Sequence, residues 1–393
     1  MPRIAFVYFD AGGGHRSAMD SLLTVIDRQK RPWKISTLNL QEILDQHDVV
    51  RRLTGLRVQD VYNRMLASGW TLGSPQLLWA LHGAIRVLHS RMVSTLADYW
   101  RRNPADLVVS VISNFNRELA ASVKLGLPGA KFITVMTDIA DYPPRHIWIV
   151  RESEYLICGS DRAVEQARRM GHSNGRVFRT SGMILNPRFY ENRNMDRGQE
   201  RQRLGLDPGC PTALVLFGGH GSNQMLEIAR RLDHYPGALQ FIFICGRNQN
   251  LAAKLRGMRT RKRRHIEGFT LEIPYFMRLA DFFIGKPGPG SVSEALACGL
   301  PVTVVCNAWT LPQERYNADW IRSNRYGIVL RSFADINRAA TELLDPVAMY
   351  RRNVAQYFNC AVFEVVDILQ QIIDQPRLPA SGVSDATVSS CSL

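Results

Sequence analysis

The chain has 393 residues, 46% of them hydrophobic, which allows two domains with separate cores. No run approaches the roughly 18 uncharged apolar residues of a spanning helix, and the seven cysteines show neither C-x-x-C nor zinc spacing, which argues against a metal or disulfide framework. The formal charge of +14 leaves two readings: an anionic partner (nucleic acid, phosphorylated ligand or acidic membrane) or plain solvated arginines.

The opening run "RIAFVYF" (3–9) reads as a core strand rather than a secretion signal, so a cytoplasmic location is expected. "DAGGGHRSAMDSL" follows it. Its glycines permit a sharp turn and close backbone approach to a ligand, and the next helix points its positive end there. The order Gly12, Gly13, Gly14, His15 satisfies neither G-x-G-x-x-G nor the GK[ST] ending of a P-loop. His15 lies at the carboxyl end of a strand, where α/β proteins bind ligands. Its imidazole suits proton abstraction from a hydroxyl, and helix capping is the other reading.

Strand-like runs continue at 34–40, 106–112, 131–137 and 154–159, alternating with helical stretches. Residues 50–102 are expected as a helical insertion bearing Trp70, Trp79 and Trp100. It reads either as ordinary packing or as an interfacial segment gripping lipid. Asp138, at the end of the fourth strand, is expected either to assist His15 or position an acceptor, or to be a plain helix or loop cap.

A polar stretch at 183–211 is expected as a linker closing the first lobe (1–182). The strand pattern restarts at 212–219, 239–246, 281–285, 301–306 and 327–330, giving a second lobe over 212–345. The basic cluster 259–265 reads as a surface loop or a contact to acidic headgroups. Helices over 346–376 and a disordered tail over 377–393 complete the expected organisation.

In "GKPGPGSVSEALACG" (285–299), Gly288 and Gly290 expose amides and Ser291 is expected to start a helix, a geometry suited to a diphosphate, with Lys286 adding charge. Ser291-Val-Ser-Glu294 also fits a capping box, so Glu294 is either a cap or an acceptor of ribose hydroxyls. Gln313, Glu314 and Asn317 suit a polyhydroxylated ligand or a polar helix start.

"GGGHRSA" (12–18), "CGRN" (245–248), "GFT" (268–270), the 285–302 stretch and "PQE" (312–314) resemble the monogalactosyldiacylglycerol synthases. "QERYNA" (313–318) is similar to the bacterial N-acetylglucosaminyl transferase acting on undecaprenyl-linked muramyl peptide. Both belong to glycosyltransferase family 28, and the resemblance spans roughly residues 4 to 345. It implies an α/β GT-B fold of two Rossmann-like lobes, a UDP-sugar donor, inversion at the anomeric carbon and a membrane-lipid acceptor such as diacylglycerol. It also implies final helices that cross back to the first lobe. Loop amides and a helix N-terminus can stabilise departing UDP, and no D-x-D motif is present, so no metal or other cofactor is expected in the transfer step. The +14 charge and the 50–102 segment then fit an anionic membrane surface as partner, and no aromatic-basic module points to nucleic acid.

By the same resemblance His15 is the general base, Ser291 and the loop glycines hold the diphosphate, and Glu294 holds the ribose. Gln313, Glu314 and Asn317 contact the sugar, and Gly219, Arg247 and Phe269 border phosphates and uracil. Gly13, Gly14 and Trp148 belong to the acceptor side, with Asp138 beside the chemistry. "TDIADYPPRHIW" keeps Thr137, Asp138 and Trp148, but Pro143 takes the expected His spacing and His146 comes later. Gly285 replaces a frequent hydroxyl residue. A UDP-sugar 2-epimerase of the same architecture and a non-catalytic anion- or nucleic-acid-binding protein are the alternatives.

Overall fold

The structure, a computed structural model, describes residues 1–10, 13–44, 74–143, 146–191, 194–345, 347 and 349–376. The expected tail lies outside them, as do Gly12 and residues 45–73 with Trp70. Two parallel six-stranded sheets form the framework. In the first, β1 (Arg3–Tyr8), β2 (Lys34–Asn39), β3 (Leu107–Ser110), β4 (Lys131–Val135), β5 (Tyr155–Cys158) and β6 (Val177–Arg179) lie in the order β2-β1-β3-β4-β5-β6. In the second, β7 (Thr212–Leu216), β8 (Gln240–Ile244), β9 (Arg264–Glu267), β10 (Phe282–Gly285), β11 (Val302–Val305) and β12 (Gly327–Leu330) lie in the order β12-β11-β10-β7-β8-β9.

Both faces of each sheet are covered, which is why the strands read as continuous apolar runs. Ile4 and Phe6 join a core with Met19 and Leu22 of α1 (Gly14–Arg28). Ala5 and Val7 turn the other way, into a core with Leu40 of α2 (Leu40–Leu44) and with Leu96 and Trp100 of α3 (Ser74–Arg102). The described side chains of α3 thus place its apolar stripe in the core. Trp100 is fully buried and donates its indole N–H to Ser122 Oγ at 3.0 Å, on α4 (Asn116–Gly126). Helix α5 (Asp161–Arg169) follows β5.

Two edge strands, β6 and β9, were not expected. Arg264 and His265 of the basic cluster lie in β9, so the cluster is partly sheet edge rather than wholly loop. The 183–211 stretch is built onto the second lobe: Leu185, Phe189 and Leu206 enter its core. Buried Arg201 of α6 (Arg197–Arg203) donates to Leu279 O and pairs with Asp281 at 2.7 Å. The helices α7 (Gln224–Asp233), α8 (Gln249–Gly257), α9 (Ile273–Leu279), α10 (Pro289–Ala297), α11 (Pro312–Asn324), α12 (Ile336–Leu344) and α13 (Met349–Ala355) complete that lobe.

The chain then returns. Helix α14 (Ala361–Asp374) buries Val362, Val365, Val366, Leu369 and Ile372 in the core of the first lobe. The two crossings between lobes are pinned together: Ser181 N and Oγ donate to Glu364 Oε2 at 2.6 and 2.9 Å, and Asn359 Nδ2 donates to Met183 O at 2.9 Å.

Candidate active site

Strand order reverses between β1 and β3 in the first lobe and between β7 and β10 in the second, and α/β sheets bind ligands at such points. In the first lobe Gly13 caps α1 with φ +79, a conformation that favours glycine, and Gly14 begins the helix. His15 makes no cap. Its Nδ1 lies 3.2 Å from Thr137 Oγ1 at the end of β4, and its ring sits 5.6 Å from the Trp148 ring. Burial pulls the imidazole down to about 4, against a smaller upward pull from a backbone bond to Val111, so it is neutral at physiological pH.

Asp138 does not pair with His15; it accepts the Trp148 indole N–H at 2.7 Å. Burial raises its carboxyl to about 7. The Trp148 bond pulls down, Glu314 and Asp141 push up, and Lys286 pulls down. Glu314 and Lys286 belong to the other lobe, so the charges acting on Asp138 come from both lobes. His146 Nδ1 lies 3.0 Å from buried Asp141.

In the second lobe the glycines after β7 and β8 bring two loops together. Gly218 and Gly246 take φ +73 and +58, and Arg247 N donates to Gly219 O at 2.9 Å. The Arg247 guanidinium lies 4.8 Å from the Phe269 ring centroid, and Phe269 is half exposed, leaving an aromatic-cation platform at the rim. After β10, Lys286 Nζ pairs with buried Glu314 at 2.8 Å, close against Gly288.

Helix α10 starts earlier than expected, with Gly288 as its N-cap and Pro289 as its first residue, so Gly290 and Ser291 lie within the first turn. No side chain caps this end, which leaves its amides to a ligand. The capping box is therefore not formed. Glu294 sits in the second turn with no hydrogen bond or ion pair among the described residues, its carboxyl pushed up to about 7 by burial.

Asn317 lies one turn into α11. It is fully buried and its Nδ2 donates to Pro287 O at 2.8 Å, bracing the loop that precedes α10, while its Oδ1 has no hydrogen-bond partner among the described residues. Gln313, beside it in the first turn of α11, is partly exposed.

These two switch points are met in known proteins. Residues 212–345 match the model of the glycosyltransferase family 28 C-terminal domain. That match spans the second lobe. Along nearly the whole chain the relatives agree. The spinach (Spinacia oleracea) monogalactosyldiacylglycerol synthase is 25% identical, covering 95% of this chain and 73% of its own length. A probable monogalactosyldiacylglycerol synthase 2 of rice (Oryza sativa subsp. japonica) is 26% identical, covering 97% and 83%.

Among solved structures, MurG of Acinetobacter baumannii aligns over 94% of this chain and 100% of its own, with TM-score 0.61 and 13% identity. The UDP-GlcNAc 2-epimerase of Neisseria meningitidis, solved with UDP-GlcNAc, aligns over 94% and 100%, with TM-score 0.57 and 16% identity. The fold is GT-B.

The second lobe brings Gly219, Arg247, Lys286 and Gly288 to loops after its strands and Glu294 and Glu314 to the helices that follow, and the first lobe brings His15, Asp138 and Trp148. Sequence reasoning missed Gly218 and Gly246, both readable as strand-end glycines, and Asp141, which carried no signal. Beside the first-lobe site a groove of about 690 Å³ is lined by His82, Arg86, Arg117, His146 and Arg151 among others. Arg117 pairs with Glu152 at 3.2 Å.

Proposed function

We propose that the protein is an inverting glycosyltransferase that moves a hexose (galactose, glucose or N-acetylglucosamine) from a UDP-sugar to a hydroxyl of a membrane lipid such as diacylglycerol, working at the inner face of the cell membrane. The observation that carries this reading is the placement of a neutral, partly buried His15 at the mouth of the first lobe, on the cleft that the uncapped end of α10 serves from the other side.

His15 takes the acceptor proton as the hydroxyl oxygen attacks the anomeric carbon. With so low a pKa the imidazole is a weak ground-state base, so the proton moves in the transition state, when bond formation acidifies the hydroxyl. The C–O bond to UDP breaks on the opposite face. The departing diphosphate gains charge, which the first-turn amides of α10 and Lys286 stabilise without reorganisation. These donors suit phosphate oxygens and no metal is needed in this step. Glu294 takes the ribose hydroxyls and Arg247 with Phe269 flanks the base. The basic groove faces acidic headgroups, and the acceptor enters from that side.

The test is incubation of labelled UDP-hexoses with lipid extract, with and without EDTA, for wild type and His15→Ala. Wild type should form a labelled glycolipid in both conditions. His15→Ala should lose about 10²–10⁴-fold in kcat while UDP still raises its Tm. No donor consumption together with no UDP-induced Tm rise sinks the proposal. Isomerised UDP-sugar without lipid would make the epimerase reading the better one.

A further inference from the structure

We propose that Asp141 is a positioning residue for sugar transfer: it fixes the main chain at Tyr142 and at 147–149 so that the Trp148 indole N–H reaches Asp138 and the Trp148 ring lies beside His15. This rests on the transferase reading for its consequence but not for its geometry.

The side chain of Asp141 is fully buried in the first lobe and both its oxygens are engaged. Oδ1 accepts from Tyr142 N and Ile147 N at 2.8 Å and Trp148 N at 3.1 Å, and Oδ2 accepts from Ile149 N at 2.9 Å and lies 3.0 Å from His146 Nδ1. One carboxylate thus gathers the main chain on both sides of Trp148. Its own backbone is locked to Gln166, which accepts from Asp141 N and donates to Asp141 O, both at 2.9 Å. The anchor is therefore fixed to α5.

Trp148 is the residue the arrangement delivers. It is fully buried, its indole donates to Asp138 at 2.7 Å, and its ring stands 5.6 Å from His15. Residues 146–149 lie outside helix and strand; apart from Asp141 they are held by core packing, by Asn114 N donating to Ile147 O and by Asn116 Nδ2 donating to Trp148 O at 3.1 Å, and Asp141 alone takes the amides of Ile147, Trp148 and Ile149 together. The chemistry of the anchor is specific. A carboxylate only accepts, whereas an asparagine turns an NH2 toward one set of backbone donors whichever way it is flipped. Asp141→Asn therefore releases part of the segment with almost no change in size.

The experiment combines the 15N-indole spectrum of tryptophan-labelled protein with transfer kinetics. The Trp148 resonance is assigned by its loss in Trp148→Phe. In Asp141→Asn it should shift or broaden, with kcat down roughly 10²-fold, the scale of an ångström's misplacement, and the UDP-induced Tm rise unchanged. A Trp148 resonance left in place, or one that moves with kcat intact, overturns the proposal. If Asp141→Asn does not fold, Trp148→Phe decides. Folded protein with intact UDP response and a kcat loss of the same order supports the link, and a wild-type rate removes it. If wild type transfers no sugar, the functional reading has failed, and the indole resonance alone still decides whether Asp141 places Trp148.

Discussion

Glu294 is a carboxyl held one turn inside a helix whose end no side chain caps, and burial alone raises it to about 7 from an ordinary 4.5. Folding therefore retains a proton that the unfolded chain gives up first. Stability contributed by this site falls as pH rises from about 4.5 to about 7 and stays low above that. Glu294→Gln should melt with wild type at pH 4.5 and above it at pH 8, while UDP affinity drops roughly tenfold or more through loss of a charged acceptor. A capping glutamate would show neither effect, since glutamine serves a capping box as well. Melting curves at the two pH values and UDP titration check this. At this scale the sequence was informative about which residues lie shortly after strand ends: His15, Asp138, Lys286. It misled at Ser291-x-x-Glu294, because Pro289 is itself a favoured first helical residue and starts α10 two positions earlier. Asp141 was invisible, since its partners are backbone amides that only the closed segment presents.

Gly285 shows how the elements constrain the donor loop. It ends β10 in register with Leu216 of β7, and a Cβ there would stand 2.5 Å from the Leu216 carbonyl oxygen and 2.6 Å from the Phe283 ring. The hydroxyl residue expected from the resemblance has no room in this packing. Gly285→Ser should cost about 1–3 kcal/mol, the range for overpacking, lower Tm by a few degrees and weaken UDP binding as the Lys286 loop is displaced. A melt indistinguishable from wild type would show that the strand ends give way freely. Interior strands were legible because parallel strands buried on both faces are apolar throughout. The edge strands "VFR" and "RHIE" were not, being short, partly exposed and rich in arginine. The 183–211 stretch read as a linker for the same reason: its arginines disguise segments that Leu185, Phe189 and Leu206 tie to the second lobe.

At the scale of the molecule, two lobes were readable from the restarted strand pattern, but the pinning of their crossings was not, because Ser181, Gly182, Asn359 and Glu364 meet only after α14 has docked. Charge is the other global property, and its placement decides its use. A surplus of +14 spread evenly would raise solubility without choosing a partner. Here Arg86, Arg117 and Arg151 line one groove beside the acceptor side, and only Arg117 has an ion-pair partner there among the described residues. Each cation near an acidic bilayer contributes about 1 kcal/mol, so removing Arg86 and Arg151 together costs about 2 kcal/mol, or roughly 30-fold in partitioning. Sedimentation with vesicles of mixed neutral and acidic phospholipid should show this loss at low salt. Wild-type binding should itself weaken as salt shortens the Debye length from about 10 Å at 0.1 M to about 3 Å at 1 M. The paired substitution should leave UDP binding untouched, since the donor site lies in the other lobe. Equal partitioning of variant and wild type would place the membrane contact elsewhere on the surface, and salt-independent binding would make it apolar rather than electrostatic.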